Sequence, residues 1–585
     1  MTFGHKYLNL YYFFLAAALP LVFIQKSEQA YYLPKMALLV TALQFYIPFF
    51  LSAVRMKMDI ADKALFIFLC FYALGFINAP FLGDAALYFA EWAAAAAMFY
   101  YGRYFLGKKD IKKIIIFMLF SSFAAGIYAV VQAFGTDLSG WVTDFSGRAF
   151  STFGNPDFLG GFLLLVIPVS LALYFSFGRL FLSSLCFIFL TGVLMFSQTR
   201  SSIVSFGFSF AVLLFLFPDY FKKAYKYILP GILAVFILVI VSGKYEDIGQ
   251  RIGTISNIEN ESLRGRYEMW QAGLKMIGEN MFAGQGIYSV KPLYYRYKVS
   301  DDYAVTDRLH NDYIEIAAES GIMALMFFML FAGAVMFKLA QSSAYFSKMI
   351  LAAFAGFFIH AFFNFPFYLP AEKAYFFILA ASALRPKKEY SPQSARGWPA
   401  AGFTALAAGI PVIIMLCGSI YLNYGINYSN ASKHKDSIYY LDKAAEFDPG
   451  PEPYYYLSGY YLNEKDISAA SESVYSYLAR FPYSKKGNIR AAVISSSAGN
   501  NEKALEYLNS FLKYYPGDTD AMNNKGKVLY LMGNIRSAVE EYKKVISIDP
   551  DNAAAYYNLY GIYANTGKTK EAHMMLGKYR ELSGK

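Results

Sequence analysis

Thirteen apolar runs, each of bilayer-spanning length or close to it, fill most of the first 421 residues and leave few folds open to this chain. They lie near residues 9–25, 33–54, 64–80, 85–102, 113–134, 158–177, 180–196, 202–217, 227–242, 321–338, 347–365, 372–384 and 400–421. A bilayer core takes about 20 residues of helix, and inside it only helices or closed barrels satisfy their own backbone. The runs are continuous rather than alternating, which predicts an all-α polytopic bundle of about 12–13 spans. A composition of 57% hydrophobic, 19% aromatic and 16% charged residues exceeds what a soluble core can bury. The first run has no small-residue cleavage site ahead of a polar sequence, so it reads as a retained helix rather than a signal peptide.

The formal charge of +11 is spread in short clusters between the runs, the pattern of topology signals rather than of a nucleic-acid face. Arg55, Lys57 and Lys63 follow the second run, and Arg103, Lys108, Lys109, Lys112 and Lys113 the fourth. Lys222, Lys223 and Lys226 follow the eighth, Lys338 and Lys348 the tenth, and Arg385, Lys387, Lys388 and Arg396 the twelfth. All are even-numbered exits, so the positive-inside rule places the amino terminus in the cytoplasm and the carboxy-terminal region outside. The same parity puts the loop 135–157, the turn 197–201, the long polar loop 243–313 and the segment after His360 on the outer face. Cys70, Cys186 and Cys417 are each isolated in an apolar run and read as small buried residues, not disulfide partners.

Residues 422–585 are polar, tyrosine-rich and repetitive. Phe447-Asp448-Pro449, Phe481-Pro482, Tyr515-Pro516 and Ile548-Asp549-Pro550 recur at spacings of 33, 34 and 34 residues, each closing a stretch with helical periodicity. That is the tetratricopeptide period. The two domains expected are thus a bundle over 1–421 with the external loop 243–313, and a helical solenoid over 422–585 whose concave face binds a protein by default.

The polar residues on the predicted outer face are the candidates for chemistry. Arg200 sits where the positive-inside rule disfavours arginine, so it is either a snorkelling or capping residue or a fork for a phosphate oxyanion. Arg264 and Arg266 precede an amphipathic stretch and are open to a salt bridge with Glu261 or Glu268; Arg148 and Arg251 are weaker candidates on the same side. His310 is either a loop histidine beside the helix cap formed by Asn311 or Asp312, or a proton-transfer group. His360 is either an interhelical hydrogen-bond partner or a second catalytic group. No HExxH or cysteine pair suggests a metal, and Gly284-Gln285-Gly286 lacks the context of a nucleotide fingerprint, so no metal or cofactor is expected. Arginines and a histidine on the outer face of a lipid-facing bundle suit a reaction on a membrane-anchored diphosphate, with arginine neutralising the leaving group and neutral histidine taking a hydroxyl proton.

Arg266-Tyr267-Glu268-Met269-Trp270, Met281-Phe282-Ala283-Gly284-Gln285-Gly286 and His310-Asn311-Asp312-Tyr313-Ile314-Glu315 with Glu319-Ser320-Gly321 together resemble the O-antigen ligase and polymerase superfamily. Phe150-Ser151-Thr152-Phe153-Gly154-Asn155-Pro156-Asp157, Ser197-Gln198-Thr199-Arg200-Ser201 and the segment from His360 to Pro366 resemble further elements of it. The resemblance implies a metal-independent glycosyltransferase of the bacterial inner membrane, moving a glycan from an undecaprenyl-diphosphate carrier to an acceptor on the periplasmic face. By position it implies Arg200 and Arg266 as the diphosphate-binding arginines, with Arg264 competing with Arg266, and His310 as the loop histidine; these three are the expected catalytic residues, and Arg264, Arg148, Asn155, Asn311 and His360 are the candidates for binding substrate. An O-antigen ligase, a polysaccharide polymerase and a protein O-oligosaccharyltransferase all fit. A lipid-linked sugar transporter, with Glu91 as its mid-membrane charge, and a membrane-anchored scaffold recruiting an envelope protein are the readings from other classes.

Overall fold

The computed structural model describes residues 3–25, 27, 29–53, 58–137, 145, 147–244, 249, 261–298, 306–385, 398–431, 433–447 and 450–584. Arg55, Lys57, Arg251, Lys387, Lys388, Arg396, Asp448 and Pro449 lie outside the described residues. Every apolar run overlaps a helix, with residues 19–25 of the first and 75–80 of the third lying beyond the helix end. The first ten helices are α1 (Phe3–Ala18), α2 (Leu33–Ala53), α3 (Ile60–Leu74), α4 (Leu82–Phe105), α5 (Lys108–Ala133), α6 (Pro156–Val166), α7 (Ala172–Phe177), α8 (Leu180–Ser197), α9 (Arg200–Leu216) and α10 (Pro218–Val241). Two polar helices follow, α11 (Glu261–Glu279) and α12 (Val290–Tyr297), and then α13 (Asp312–Gln341), α14 (Tyr345–Phe363), α15 (Pro370–Ala383) and α16 (Trp398–Asn430). Among the described residues, 7 helical segments are long and apolar enough to cross a membrane, and three shorter apolar helices accompany them. The chain is a multi-pass helical membrane protein. The remaining runs, α3, α4 and α15, are short or carry charges, of which Asp62, Arg103, Glu91 and Lys373 are held in ion pairs.

Residues 1–290 with 308–419 form one compact unit, and residues 291–307 with 420–585 another. In the first unit, Glu91 and Lys373 are fully buried, 2.9 Å apart, and Tyr32 donates to the second carboxylate oxygen at 2.9 Å. A lone charge there would cost several kcal/mol, roughly, so the pair stands because each charge is answered. Arg103 and Lys338, two of the basic residues that carry the orientation signal, are held by Asp59, with Asp62 as a second acceptor for Arg103. No cysteine is paired; Cys186 is buried as expected, but Cys70 and Cys417 are exposed on their helices. A small apolar side chain suits a lipid-facing surface as well as a core, which is why hydropathy could not separate the two.

One break in the bundle positions the site. Gly321 has φ 84° and ψ 166°, interrupting α13 after its first turns. The carbonyls this frees are capped by a loop: Gln285 N donates to Ala318 O at 2.7 Å and Gly286 N to Glu319 O at 3.0 Å, while Ile322 N donates to Met281 O at 2.8 Å. A Cβ on Gly284 would lie 2.4 Å from the Glu319 carbonyl carbon, so this approach requires glycine. Here the Met281–Gly286 and Glu319–Gly321 motifs acquire a physical meaning, since irregular backbone at such depth survives only where protein groups satisfy it.

The second unit is a tetratricopeptide solenoid of helix pairs: α17 (His434–Phe447), α18 (Glu452–Asn463), α19 (Ile467–Arg480), α20 (Lys485–Ser497), α21 (Asn501–Leu512), α22 (Thr519–Leu531), α23 (Ile535–Ile548), α24 (Ala553–Asn565) and α25 (Thr569–Ser583). Gly499, Gly533 and Gly567 occupy the turn within successive pairs at φ 79°, 79° and 73°, and Lys465 takes the equivalent turn at φ 64°. Pro482 and Pro516 follow the second helix of their pairs, where proline cannot extend it.

Candidate functional site

The site is built from helix ends. Asn155 caps α6, accepting from Asp157 N at 2.8 Å, with Pro156 at the first helical position. That places Asp157 in the first turn of an apolar helix, where its carboxylate gathers three donors. Arg148 Nη2 donates to Oδ1 at 3.0 Å and Thr199 Oγ1 to the same oxygen at 3.1 Å, while Arg266 Nη2 lies 3.5 Å from Oδ2. One turn further on, Gly160 and Gly161 let two other elements close in. A Cβ on Gly160 would meet Ser202 Oγ at 2.2 Å, and one on Gly161 would meet His360 Nε2 at 3.0 Å. Small residues give close helix approach in membranes, and here they bring α9 and α14 against α6. Ser202 Oγ lies 3.3 Å from His360 Nδ1, and His360 is 1% exposed.

His310 ends a turn that is pinned on several sides. Glu315, fully buried, accepts from Arg308 Nη1 at 2.9 Å and from Leu309 N at 2.8 Å. The Arg308 guanidinium also lies over the rings of Tyr88, Tyr288 and Tyr368, at 4.9, 5.5 and 4.0 Å. With the two residues before it fixed, His310 is held at φ 51°, a conformation side chains other than glycine seldom adopt. Asn311 caps α13 by accepting from Tyr313 N and Ile314 N, and Trp270 Nε1 donates to His310 O at 3.4 Å.

The imidazole packs edge-on to Phe365 and its Nδ1 lies 3.4 Å from Asn364 Oδ1. The Asn364 amide nitrogen donates to Ser201 Oγ at 2.7 Å, which turns the amide oxygen toward the ring. This contact is a hydrogen bond in the tautomer protonated on Nδ1, in which Nε2 holds the lone pair. Burial, and then the positive charge of Arg266, bring the His310 pKa down to about 4, so the ring is neutral at neutral pH.

Charge accumulates around this neutral ring. Burial lowers the Arg266 pKa, and the Arg200 and Arg148 charges lower it further against the opposing pull of Asp157. Guanidinium groups stay protonated through such shifts. Arg148 and Arg266 share the Asp157 carboxylate and Arg200 adds its charge to that of Arg266, which leaves an excess of positive charge suited to a polyanion bound through forked donors. Among the described residues no group of three or more His, Cys, Asp and Glu side chains is arranged to hold a metal ion.

Arg148, Arg200, Arg266, His310 and His360 are thus brought together. Arg264 is not: its side chain is 75% exposed and pairs with Glu268 at 3.3 Å, one turn along α11. Asn155 and Asn311 act as helix caps at the edge of the cluster. Sequence reasoning gave no role to Asp157, Asn364 or Glu315. Asp157 carried a usable signal, a carboxylate at the mouth of an apolar run, where an unpaired charge is expensive. Asn364 and Glu315 carried none, because their partners are 54 and 7 residues away along the chain.

Residues 185–329 match the O-antigen ligase family, and residues 526–567 match the TPR repeat family. A DnaJ homolog subfamily C member 7 homolog from Schizosaccharomyces pombe is 26% identical over 112 residues, covering 17% of this chain and 24% of that protein's length. Among solved structures, YrrB, a TPR protein with an unusual peptide-binding site, is 22% identical with a TM-score of 0.24, over 28% of this chain and 84% of its own. MamA from Desulfovibrio magneticus RS-1 is 19% identical with a TM-score of 0.26, over 28% of this chain and 94% of its own. The chain therefore carries a stretch of its membrane bundle that is similar to the O-antigen ligase family and, after that bundle, a stretch that is similar to the TPR repeat family.

Proposed function

We propose that this protein is an O-antigen ligase-like glycosyltransferase that moves a glycan from an undecaprenyl-diphosphate carrier to an acceptor hydroxyl on the periplasmic face of a bacterial inner membrane. The observation that carries this is the cluster in which Arg148 and Arg266 pair with Asp157, Arg200 and Arg148 add their charge to Arg266, and Arg266 acts on a neutral His310 imidazole. The acceptor oxygen attacks the anomeric carbon, and its proton passes to His310 Nε2. The bond from the anomeric carbon to the diphosphate oxygen breaks, and the carrier diphosphate leaves with the electron pair. Arg200 and Arg266 stabilise the charge that grows there, an effect worth most in a site shielded from water. Asp157 positions Arg148 and Arg266, and His360 braces α14 against α6. The repeat region recruits an envelope protein to the bundle. No metal or cofactor takes part.

The arginines give the direct test. A lysine supplies a point charge in place of a planar fork, so Arg266→Lys and Arg200→Lys are expected to slow transfer at least about tenfold, near 1.4 kcal/mol in the barrier. Arg264→Lys, on the exposed side of the same helix, is expected to transfer at the normal rate. The assay is purified protein in liposomes with a polyprenyl-diphosphate-linked glycan. Normal rates in both of the first two variants would make those arginines structural.

The orientation is tested separately. Reporter fusions after Lys113 and Lys226 are expected to read cytoplasmic, and fusions within 243–307 and after Gly425 external. A cytoplasmic signal from the loop that precedes His310 would remove the proposed chemistry from the periplasmic face.

A further inference from the structure

The long polar loop does not fold only with the bundle that it leaves and re-enters. Its residues 291–307 belong to the same compact unit as the repeats. The contacts are specific. Tyr295 stands edge-on to Tyr515, ring centroids 6.0 Å apart and planes at 89°, and packs against the core formed by Leu508, Phe511 and Val528. Lys291 Nζ sits 5.6 Å from the Phe481 ring centre and is oriented by Asp307 at 3.2 Å. Arg296 hydrogen-bonds the Tyr483 side chain. Tyr295 is half-buried there, and that burial raises its pKa to about 12, with Asp307, Asp518 and Glu452 adding their charge.

Phe481 and Tyr483 follow α19, and Tyr515 and Asp518 lie between α21 and α22. Both groups are turns that close one helix pair and open the next, so successive repeats present them along a single edge of the solenoid. Cationic and aromatic side chains at 291, 295 and 296 meet aromatic rings there, a complementary pairing of types. The chain then passes through Asp307 directly into Arg308, Leu309 and His310.

We infer that this edge of the repeat region is a docking surface for the chain's own loop, and that by gripping residues 291–296 the repeats anchor the loop whose far end carries Arg308 and His310. A functional consequence follows if the proposed transfer reaction holds. A loop anchored at residue 295 and at Glu315 presents His310 with little freedom, whereas one released from the repeats is anchored only at its bundle ends. Misplacement of a reacting group by about 1 Å can cost about 10²-fold in rate.

The test uses the full chain, with Cys70, Cys186 and Cys417 replaced by alanine and a protease site inserted after Asn430. Tyr295→Cys and Tyr515→Cys are introduced together and treated with a short bismaleimide. After cleavage, the bundle and repeat fragments are expected to run as one band on a denaturing gel. A control pairing Tyr295→Cys with Tyr557→Cys is expected to give two bands. Two bands from the first pair would overturn the docking, and this result needs no transfer activity to be read. In liposomes, Lys291→Ala with Tyr295→Ala is expected to slow transfer about tenfold or more without changing the KM for donor. Unchanged transfer in that variant would overturn the anchoring role. If the unsubstituted protein performed no transfer while the cross-link formed, the glycosyltransferase reading would fail and the docking would stand.

Discussion

Replacing His310 with alanine is expected to slow glycan transfer by about 10²–10⁴, the range a general base supplies, while carrier-linked donor still binds. In the tautomer in which Nδ1 donates to the Asn364 amide oxygen, Nε2 is the ring atom that takes the acceptor's proton. The pH profile provides an independent signature. Burial and Arg266 lower the His310 pKa to about 4, below the ordinary value of 6.5, so the base form persists as pH falls. Transfer is therefore expected to stay level from pH 8 to about pH 5 and to halve only near the lowered pKa. A histidine in an ordinary environment would halve the rate near pH 6.5. Rates measured across that range in liposomes decide between them: half-loss near 6.5, or near-normal turnover by His310→Ala, would remove the histidine from the mechanism. His360→Ala is expected to be milder, since that ring is enclosed between Gly161 and Ser202 and works through packing.

Removing Glu315 should be the most damaging change to stability. Its carboxylate is fully buried and answers both the Arg308 guanidinium and the Leu309 amide. Alanine would leave a buried cation and a buried N–H without this acceptor, and breaking such a pair costs about 3–5 kcal/mol. Glu315→Ala in detergent is expected to unfold well below the unsubstituted protein, with Glu315→Gln between them because the amide oxygen still accepts from Leu309. The readout is loss of the monodisperse chromatographic peak on heating. An unfolding temperature within a degree or so of the parent for Glu315→Ala would mean that Arg308 is held by the tyrosine rings alone.

What the sequence determined by itself was what local physics dictates. Runs of bilayer length became helices because lipid leaves the backbone no other partner, and prolines at a 34-residue period became the ends of helix pairs because proline cannot continue one. The motifs around Arg200, Arg266 and His310 were legible as well, because each is a short string whose residue types carry the signal. The choice between Arg264 and Arg266 was not. Residues two apart on a helix point about 200° from each other, and which of them faces the cluster depends on how α11 rests against α13. The same holds for the imidazole: its type was visible in the sequence, but its tautomer and lowered pKa depend on Asn364, Ser201 and Arg266, which approach from three other elements. Asp157 became the centre of the site only when Gly160 and Gly161 allowed α9 and α14 to close against α6. The docking of residues 291–296 on the repeats likewise joins segments some 200 residues apart. Periodicity and composition describe a chain's relation to its solvent, whereas a site is a relation between distant side chains, and only tertiary packing sets those distances.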